Sequence, residues 1–435
     1  MKKLMIFCIL HFALCMMQAA NPQVEVIANY DRTGSNHYAY PIPDDMAVPT
    51  LTAAPAGYEP FLIEHYGRHG SRWLTKASGY TRPLRLLERA HDNKQLTVTG
   101  ERMLRDLHRV WVEAEDRAGE LSDIGAEQHQ GIAQRMLLNF PEVFAGDAVI
   151  DARSTVVIRC ILSMQNETMV LRAANPRLRI TTDASYHDMW YMGWGHGEDT
   201  LADHIRKDMD IATENLYRDN ISPDRFTAMV FTDTTGLRLS RDNAIRLMSD
   251  VFAVAGSLQG HHAFDGWEMY HYFTNDEIFE LWRLRNIYWY THWANAPLNG
   301  NRMPFIERAL LRNMVESADR AIADGRIGAD LRFGHETCLL PLACMMELDS
   351  VNLSTDDLDN LHLHWQDYNI FPKACNIQMV FYRPVSGTSD ILVKVLLNEH
   401  EATLPVDGVD GPYCRWNDLR AYYLRKLDTI IDWAK

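Results

Sequence analysis

The chain is short of positive charge: 43 lysines and arginines stand against 58 aspartates and glutamates, a formal net charge of −15 over 435 residues. That deficit argues against nucleic acid as a partner, because a phosphate backbone has to be met by a positive field. Cysteine is scarce as well, with seven in the chain, no CxxC pair and no close Cys/His quartet, so no zinc-binding spacing is present. Internal repeats, low-complexity tracts and polar linkers are all missing, which leaves an ordinary globular chain with ample apolar content for a core. Long apolar runs are missing too, except at the start. Lys2 and Lys3 precede an apolar stretch from Leu4 to Met17, broken by Cys8 and His11, and Ala19 and Ala20 close it. That stretch is too short for a comfortable membrane span and reads as a secretory signal peptide over residues 1–20. The bulky Leu14 before Cys15 argues against a lipoprotein anchor. The expectation is an exported protein of the periplasm or cell surface, with no membrane span.

Loss of Lys2 and Lys3 with the leader would move the formal charge to about −17. An anionic ligand would then have to be met by a few arginines placed locally rather than by global charge. Five cysteines would remain, Cys160, Cys338, Cys344, Cys375 and Cys414. Their odd number leaves at least one without a partner inside the chain, and no pairing follows from sequence.

What is there is an alternation of strands and helices. The run Pro60 to Tyr66 reads as a buried strand that ends in Gly67-Arg68-His69-Gly70. Helical stretches follow at about 80–91, 97–117 and 123–140, the last two starting at Thr97 and Ser122 as caps. Strands are expected at 148–153 and 177–182 around a helix at 155–173. From about residue 185 to 326 the texture becomes helical, with helices expected at 224–232, 240–255, 276–290 and 303–323. The first pattern then resumes: strands at 329–333, 377–382 and 391–397, a helix at about 337–347, and a closing helix at 416–433. The reading is an α/β sheet domain covered by helices, 21–185 plus 326–435, carrying an all-helical insertion at 186–325 that forms one wall of a cleft.

Two short stretches carry chemistry. Arg68-His69-Gly70-Ser71-Arg72 and Gly334-His335-Glu336-Thr337 each follow an apolar strand. An imidazole flanked by two arginines repels itself unless an anion fills the cluster, and phosphate suits planar guanidinium groups. A third strand ends in Asp151-Ala152-Arg153-Ser154-Thr155, so three strand ends would bring arginine, histidine and carboxylate together.

These residues resemble the histidine acid phosphatase superfamily, the clade 2 histidine phosphatases. Arg68-His69-Gly70-Ser71-Arg72 is similar to the family's RHGxR signature, and His335-Glu336 to its distal His-acid pair. Leu121 to Gln128 resembles its LTxxGxxQ helix start, and Arg153-Ser154-Thr155 with Arg159 resembles its RST…R element. Leu331 to His335 and Leu339 to Leu342 look most like the multiple inositol polyphosphate phosphatase, or phytase, branch. That branch places its acid two residues after the histidine, where this chain has Thr337; here Glu336 follows His335 directly. Leu74 stands where the signature carries proline.

The resemblance implies a phosphoglycerate-mutase-like sheet domain and a phosphomonoester hydrolase that acts through a phosphohistidine. His69 would be the nucleophile and Glu336 the acid-base group, with Arg68, Arg72, Arg153 and His335 binding the phosphate and Arg159 acting as a structural partner. No metal and no cofactor is implied. The expected partners are small-molecule phosphate esters, inositol polyphosphates such as phytate above all. The alternatives are a broad-specificity acid phosphatase for sugar phosphates and nucleotides, and a non-catalytic phospholigand-binding protein. The histidines at 261–262, 362, 364 and 196 lack a carboxylate or cysteine at metal-ligand spacing. The aromatic run Trp282 to Trp293 reads as helix packing. In the insertion, Arg206 and Lys207 are candidates for outlying phosphates.

Overall fold

In the computed structural model, which describes residues 21–40, 49–193, 200–387 and 390–433, the apolar run after Pro60 extends both ways to make β1 (Tyr58–Arg68). The expected leader lies outside the described residues. The strands β2 (Val149–Ser154), β3 (Arg179–Asp183), β4 (Gly328–Gly334), β5 (Asn376–Pro384), β6 (Leu392–Leu397) and β7 (His400–Glu401) join β1 in one sheet, in the order β3-β2-β4-β1-β5-β6-β7. The short β8 (Cys414–Arg415) pairs with β6. Parallel pairing joins β3, β2, β4 and β1, and β5 and β6 then run antiparallel. Every residue of β4 is buried, including the charged Asp330 and Arg332, which pair with Arg326 and Glu64.

Helices cover both faces, as an α/β sheet requires. Helices Asp123–Asn139 and Ile158–Ala174 pack Ile132, Met136, Met164 and Leu171 onto Ile63, Ile150, Leu331 and Val380. Helices Arg308–Ala323 and Glu336–Met346 pack Leu310, Met314, Leu339 and Leu342 onto Leu62, Tyr66, Ile377 and Met379 on the other face. Thr97 and Ser122 cap their helices as expected, accepting from the backbone N–H of Gly100 and Gly125 at 3.0 and 3.1 Å.

Between β3 and β4 the described residues form helices and 3-10 turns. Their one strand-like feature is a bridge from Phe231 to Leu96. Helices Asp224–Val230, Arg241–Ser257 and Asn275–Trp293 match the expected stretches closely. Helix Asp203–Asn220 was not legible, because only Ile205 and Met209 of its 18 residues are buried. The stretch expected as one helix from Met303 divides: residues Met303–Glu307 are 3-10, with Pro304 in the first turn, before the α-helix begins at Arg308. The last helix, Trp416–Leu427, is shorter than its expected span. One apolar cluster runs from Leu62 and Tyr66 through Leu87 and Leu107 to Phe226, Leu281 and Met314, so the helical region and the sheet share a core. Trp282, Trp289 and Tyr290 are buried, which is the packing role expected of the aromatic run. No described helix is long and apolar enough to cross a membrane.

Candidate active site

The site forms where four strand ends meet. β1 and β4 are parallel neighbours whose paired residues end at Arg68 and Gly334, so His69 and His335 leave the sheet side by side, their rings 5.6 Å apart at 72°. β2 ends beside β4 and delivers Thr155, whose hydroxyl lies 3.4 Å from His335 Nε2. β5 runs the other way, so its first residues, not its last, arrive at the same end: Asn376 pairs with Gly67.

Close backbone packing fixes the loop after β1. A Cβ on Gly70 would stand 2.2 Å from the Gly125 carbonyl oxygen, and one on Gly125 would stand 2.2 Å from that of Ser71, so only glycine fits at either place. Gln128 accepts from the Ser71 backbone N–H at 2.8 Å and donates to its hydroxyl at 3.1 Å. Gly70 donates its N–H to Ser163 Oγ. His69 Nδ1 lies 2.9 Å from the Gly70 carbonyl oxygen, which can only accept, so the proton sits on Nδ1 and Nε2 carries the lone pair. Nε2 is buried and has no hydrogen-bond partner. Burial above all, then the charges of Lys373, Arg159, Arg68 and Arg72, holds the His69 pKa well below the usual histidine value. The ring is neutral, and its bare nitrogen is available as a nucleophile.

Cations surround that nitrogen. Arg68 is fully buried and pinned, donating to the carbonyl oxygens of Phe371 and Asn36 at 2.7 Å each and pairing with Glu336 Oε1 at 3.0 Å; its Nε has no partner. Arg72 donates to the Trp73 carbonyl and also keeps a bare, buried Nε. Burial lowers its pKa to about 10. Arg159, in the first turn of its helix, has a buried Nε without a partner and acts on the charge state of His69, His335, Arg72 and Lys373. Arg153 is not among them. Strand alternation buries Ala152 and Ser154 and turns Arg153 to the half-exposed face, where it bonds Asp151 at 3.0 Å, Asp183 at 3.0 Å and Asp188 at 3.3 Å. The arginine this stretch brings to the cluster is Arg159, six residues on.

Glu336 is the first residue of its helix, where backbone N–H groups favour negative charge. Its Oε2 lies 3.8 Å from His69 Nε2, and Asn36 donates to its Oε1 at 3.3 Å. Burial alone would raise its pKa, but Arg68, Lys373, Arg72 and His335 outweigh that and hold it well below the ordinary value. Burial takes His335 down to about 4. His69, His335 and Glu336 offer atoms within 4.8 Å of one another, yet the cations around them favour an anion there over a metal ion.

Several residues of the site gave no signal in sequence. The segment Tyr30–His37 folds over the cluster, lending Asn36 to Arg68 and Glu336 and burying His37. From the helical region come Arg285, which donates to Asn36 Oδ1, and His261, which stacks on Trp73 at 3.8 Å with a bare, buried Nε2. Burial followed by the Lys373 charge lowers the pKa of His37, and that of His261 to about 3. Lys373, just before β5, is 1% exposed and its Nζ has no partner. Arg206 hydrogen-bonds the Leu201 carbonyl and Lys207 is exposed. His262 bonds Glu127 and Asp265 at the surface, and His196 lies outside the described residues.

No protein-family model and no curated protein matches this chain in sequence. In structure it is similar to the multiple inositol polyphosphate phosphatase of Bifidobacterium longum in complex with inositol hexasulfate, with a TM-score of 0.75 at 18% identity over 90% of this chain and 97% of that one. It is also similar to the phytase of D. castellii, with a TM-score of 0.70 at 16% identity over 94% of this chain and 89% of that one. A more distant likeness, TM-score 0.51 at 14% identity, joins it to the Hafnia alvei phytase over 86% of this chain and 98% of the other. The chain therefore has the fold of the multiple inositol polyphosphate phosphatases and phytases, the α/β fold of the histidine acid phosphatases that its Arg68-His69-Gly70 and His335-Glu336 motifs resemble.

Proposed function

We propose that this protein is an exported phosphomonoester hydrolase that works through a phosphohistidine on His69 and removes phosphates from inositol polyphosphates such as phytate. The observation that carries the reading is a neutral imidazole with a bare, buried Nε2 ringed by Arg68, Arg72 and Arg159, each with a buried nitrogen that lacks a partner. Three guanidinium nitrogens left unpaired around one bare imidazole nitrogen form a set of donors that an anion would complete. Phosphate fits, because three equatorial oxygens of a phosphoryl group meet guanidinium and imidazole donors at once.

In the first step the Nε2 lone pair attacks phosphorus, the bond from phosphorus to the alcohol oxygen breaks, and Glu336 gives its proton to that oxygen. In the second, the Glu336 carboxylate takes a proton from water as the water oxygen attacks phosphorus, the N–P bond breaks, and inorganic phosphate leaves. The cations stabilise the charge that develops on the equatorial oxygens. Neighbouring cations keep Glu336 ionised, and a bound phosphate dianion opposes them. Glu336 thus takes up a proton from solvent when substrate binds.

Donors beyond the clamp, the Arg285 cation and the neutral imidazoles of His37 and His261, support a polyanionic substrate. His37, His261 and Arg285 stand around the cluster on an otherwise acidic chain, and a monoester has no need of them. Two of these, His261 and Arg285, come from the stretch 186–325, which we assign as the helical insertion forming one wall of the cleft on a catalytic domain of 21–185 and 326–435. Export rests on the leader-like residues 1–20. The five described cysteines are free and buried.

Phosphate release from phytate and from an aryl phosphate, compared in acidic buffer with chelator, tests the reading. Turnover of phytate that falls on the order of 10⁴-fold or more in His69→Ala supports it. Preferential turnover of the aryl ester would indicate a broad-specificity acid phosphatase, and no turnover of either would indicate a phospholigand-binding protein.

A further inference from the structure

We infer that Lys373 is a fourth cation of the phosphate clamp, its ammonium binding a non-bridging oxygen of the phosphoryl group carried to His69; the role rests on the hydrolase reading above. The side chain is 1% exposed, and its Nζ has no hydrogen-bond partner. A buried ammonium without an acceptor opposes folding, and a phosphoryl oxygen would supply that acceptor. Glu336 does not fill that place: Oε1 is held by Arg68 and Asn36, and Oε2 faces His69 Nε2 at 3.8 Å.

The backbone holds Lys373 against the nucleophile loop. Its own N–H donates to Tyr38 O at 2.7 Å, the next residue's N–H donates to His69 O at 3.1 Å, and Arg68 N–H donates to Cys375 O at 2.8 Å. These straps accompany a left-handed backbone at Ala374, φ 58°, which a residue with a Cβ adopts only where its surroundings enforce it. Among the charges acting on His69, that of Lys373 is felt most strongly, and the same holds for His37 and His261. Lys373 thus enters from the side where β5 begins, while Arg68 ends β1, Arg72 follows it in the loop and Arg159 sits in the first turn of the helix after β2.

Lys373→Met and Lys373→Arg, measured by thermal unfolding with and without inorganic phosphate and by kinetics on an aryl phosphate and on phytate, test the role. Removing an unpaired buried charge should raise the ligand-free unfolding midpoint of Lys373→Met while shrinking the shift that phosphate induces. Its kcat/KM should fall on the order of 10²-fold on both substrates, with partial recovery in Lys373→Arg. An unchanged phosphate shift with unchanged kcat/KM would overturn the inference. So would a lower ligand-free midpoint with intact phosphate binding, which marks a structural lysine. A loss confined to phytate would overturn it too, placing Lys373 under a neighbouring phosphate. Wild-type protein that binds phosphate through Lys373 yet turns over no ester would instead sink the hydrolase reading and uphold the contact.

Discussion

At the scale of residues, the chemistry is a set of nitrogens waiting for oxygen. The pair His69 and Glu336 was legible in sequence because each sits in a short motif directly after a strand. Arg153 was misleading for a reason of geometry: a strand sends alternate residues to opposite faces, and one position decides which side an arginine serves. Arg153→Ala should accordingly leave kcat/KM within about threefold, whereas Arg159→Ala should lower it on the order of 10²-fold; steady-state kinetics of the two variants side by side decides the assignment. Protons follow the same electrostatics. Cations hold Glu336 low, and burial with neighbouring charge holds His69, His335 and Lys373 low. An inert dianion such as sulfate should raise all four, so it should bind with proton uptake and more tightly as pH falls. Calorimetry in buffers of different ionisation enthalpy measures the uptake, and proton release on binding would contradict this account. The proposed acid role needs Glu336 protonated in the substrate complex, so kcat should fall as pH rises through its raised pKa. Glu336→Gln should lower kcat by about 10²–10⁴-fold and flatten that limb of the profile.

At the scale of elements, the site depends on strand ends and on one tight contact. The parallel strands β1, β4 and β2 were legible as short strands between helical stretches, and the order of helices around them followed. β5 was expected as a strand but its antiparallel direction was not, because a sequence does not announce which end of β5 meets β1; the start of that strand brings in Lys373. The Tyr30–His37 turn escaped as well, being polar and without periodicity, although Asn36 and His37 close the site. The loop after β1 rests on Gly125 so closely that no side chain fits. Gly125→Ala should cost about 1–3 kcal/mol of stability by overpacking and, with His69 as the proposed nucleophile, should depress kcat more than phosphate binding by displacing it. Chemical denaturation paired with kinetics checks both effects.

At the scale of the whole molecule, the helical region between β3 and β4 shares its apolar cluster with the sheet. Its texture in sequence marks it as a unit, but the packing joins it to the rest, and His261 and Arg285 complete the site from it. Unfolding should therefore show one transition, coincident by far-ultraviolet and near-ultraviolet circular dichroism and shifted as a whole by phosphate; two separated transitions would show that the region folds by itself. The chain's net charge of −15 makes the buried cationic cluster more pointed, since the surrounding field does not supply it. The central claim is that His69 carries the phosphoryl group. The direct measurement uses Glu336→Gln with an aryl phosphate, whose good leaving group needs no acid but whose phosphoenzyme needs Glu336 to activate water. After an alkaline quench, which spares phosphohistidine, peptide mass spectrometry should find phosphate on His69. Aryl alcohol released without phosphate on His69, or undiminished turnover by His69→Ala, would contradict it.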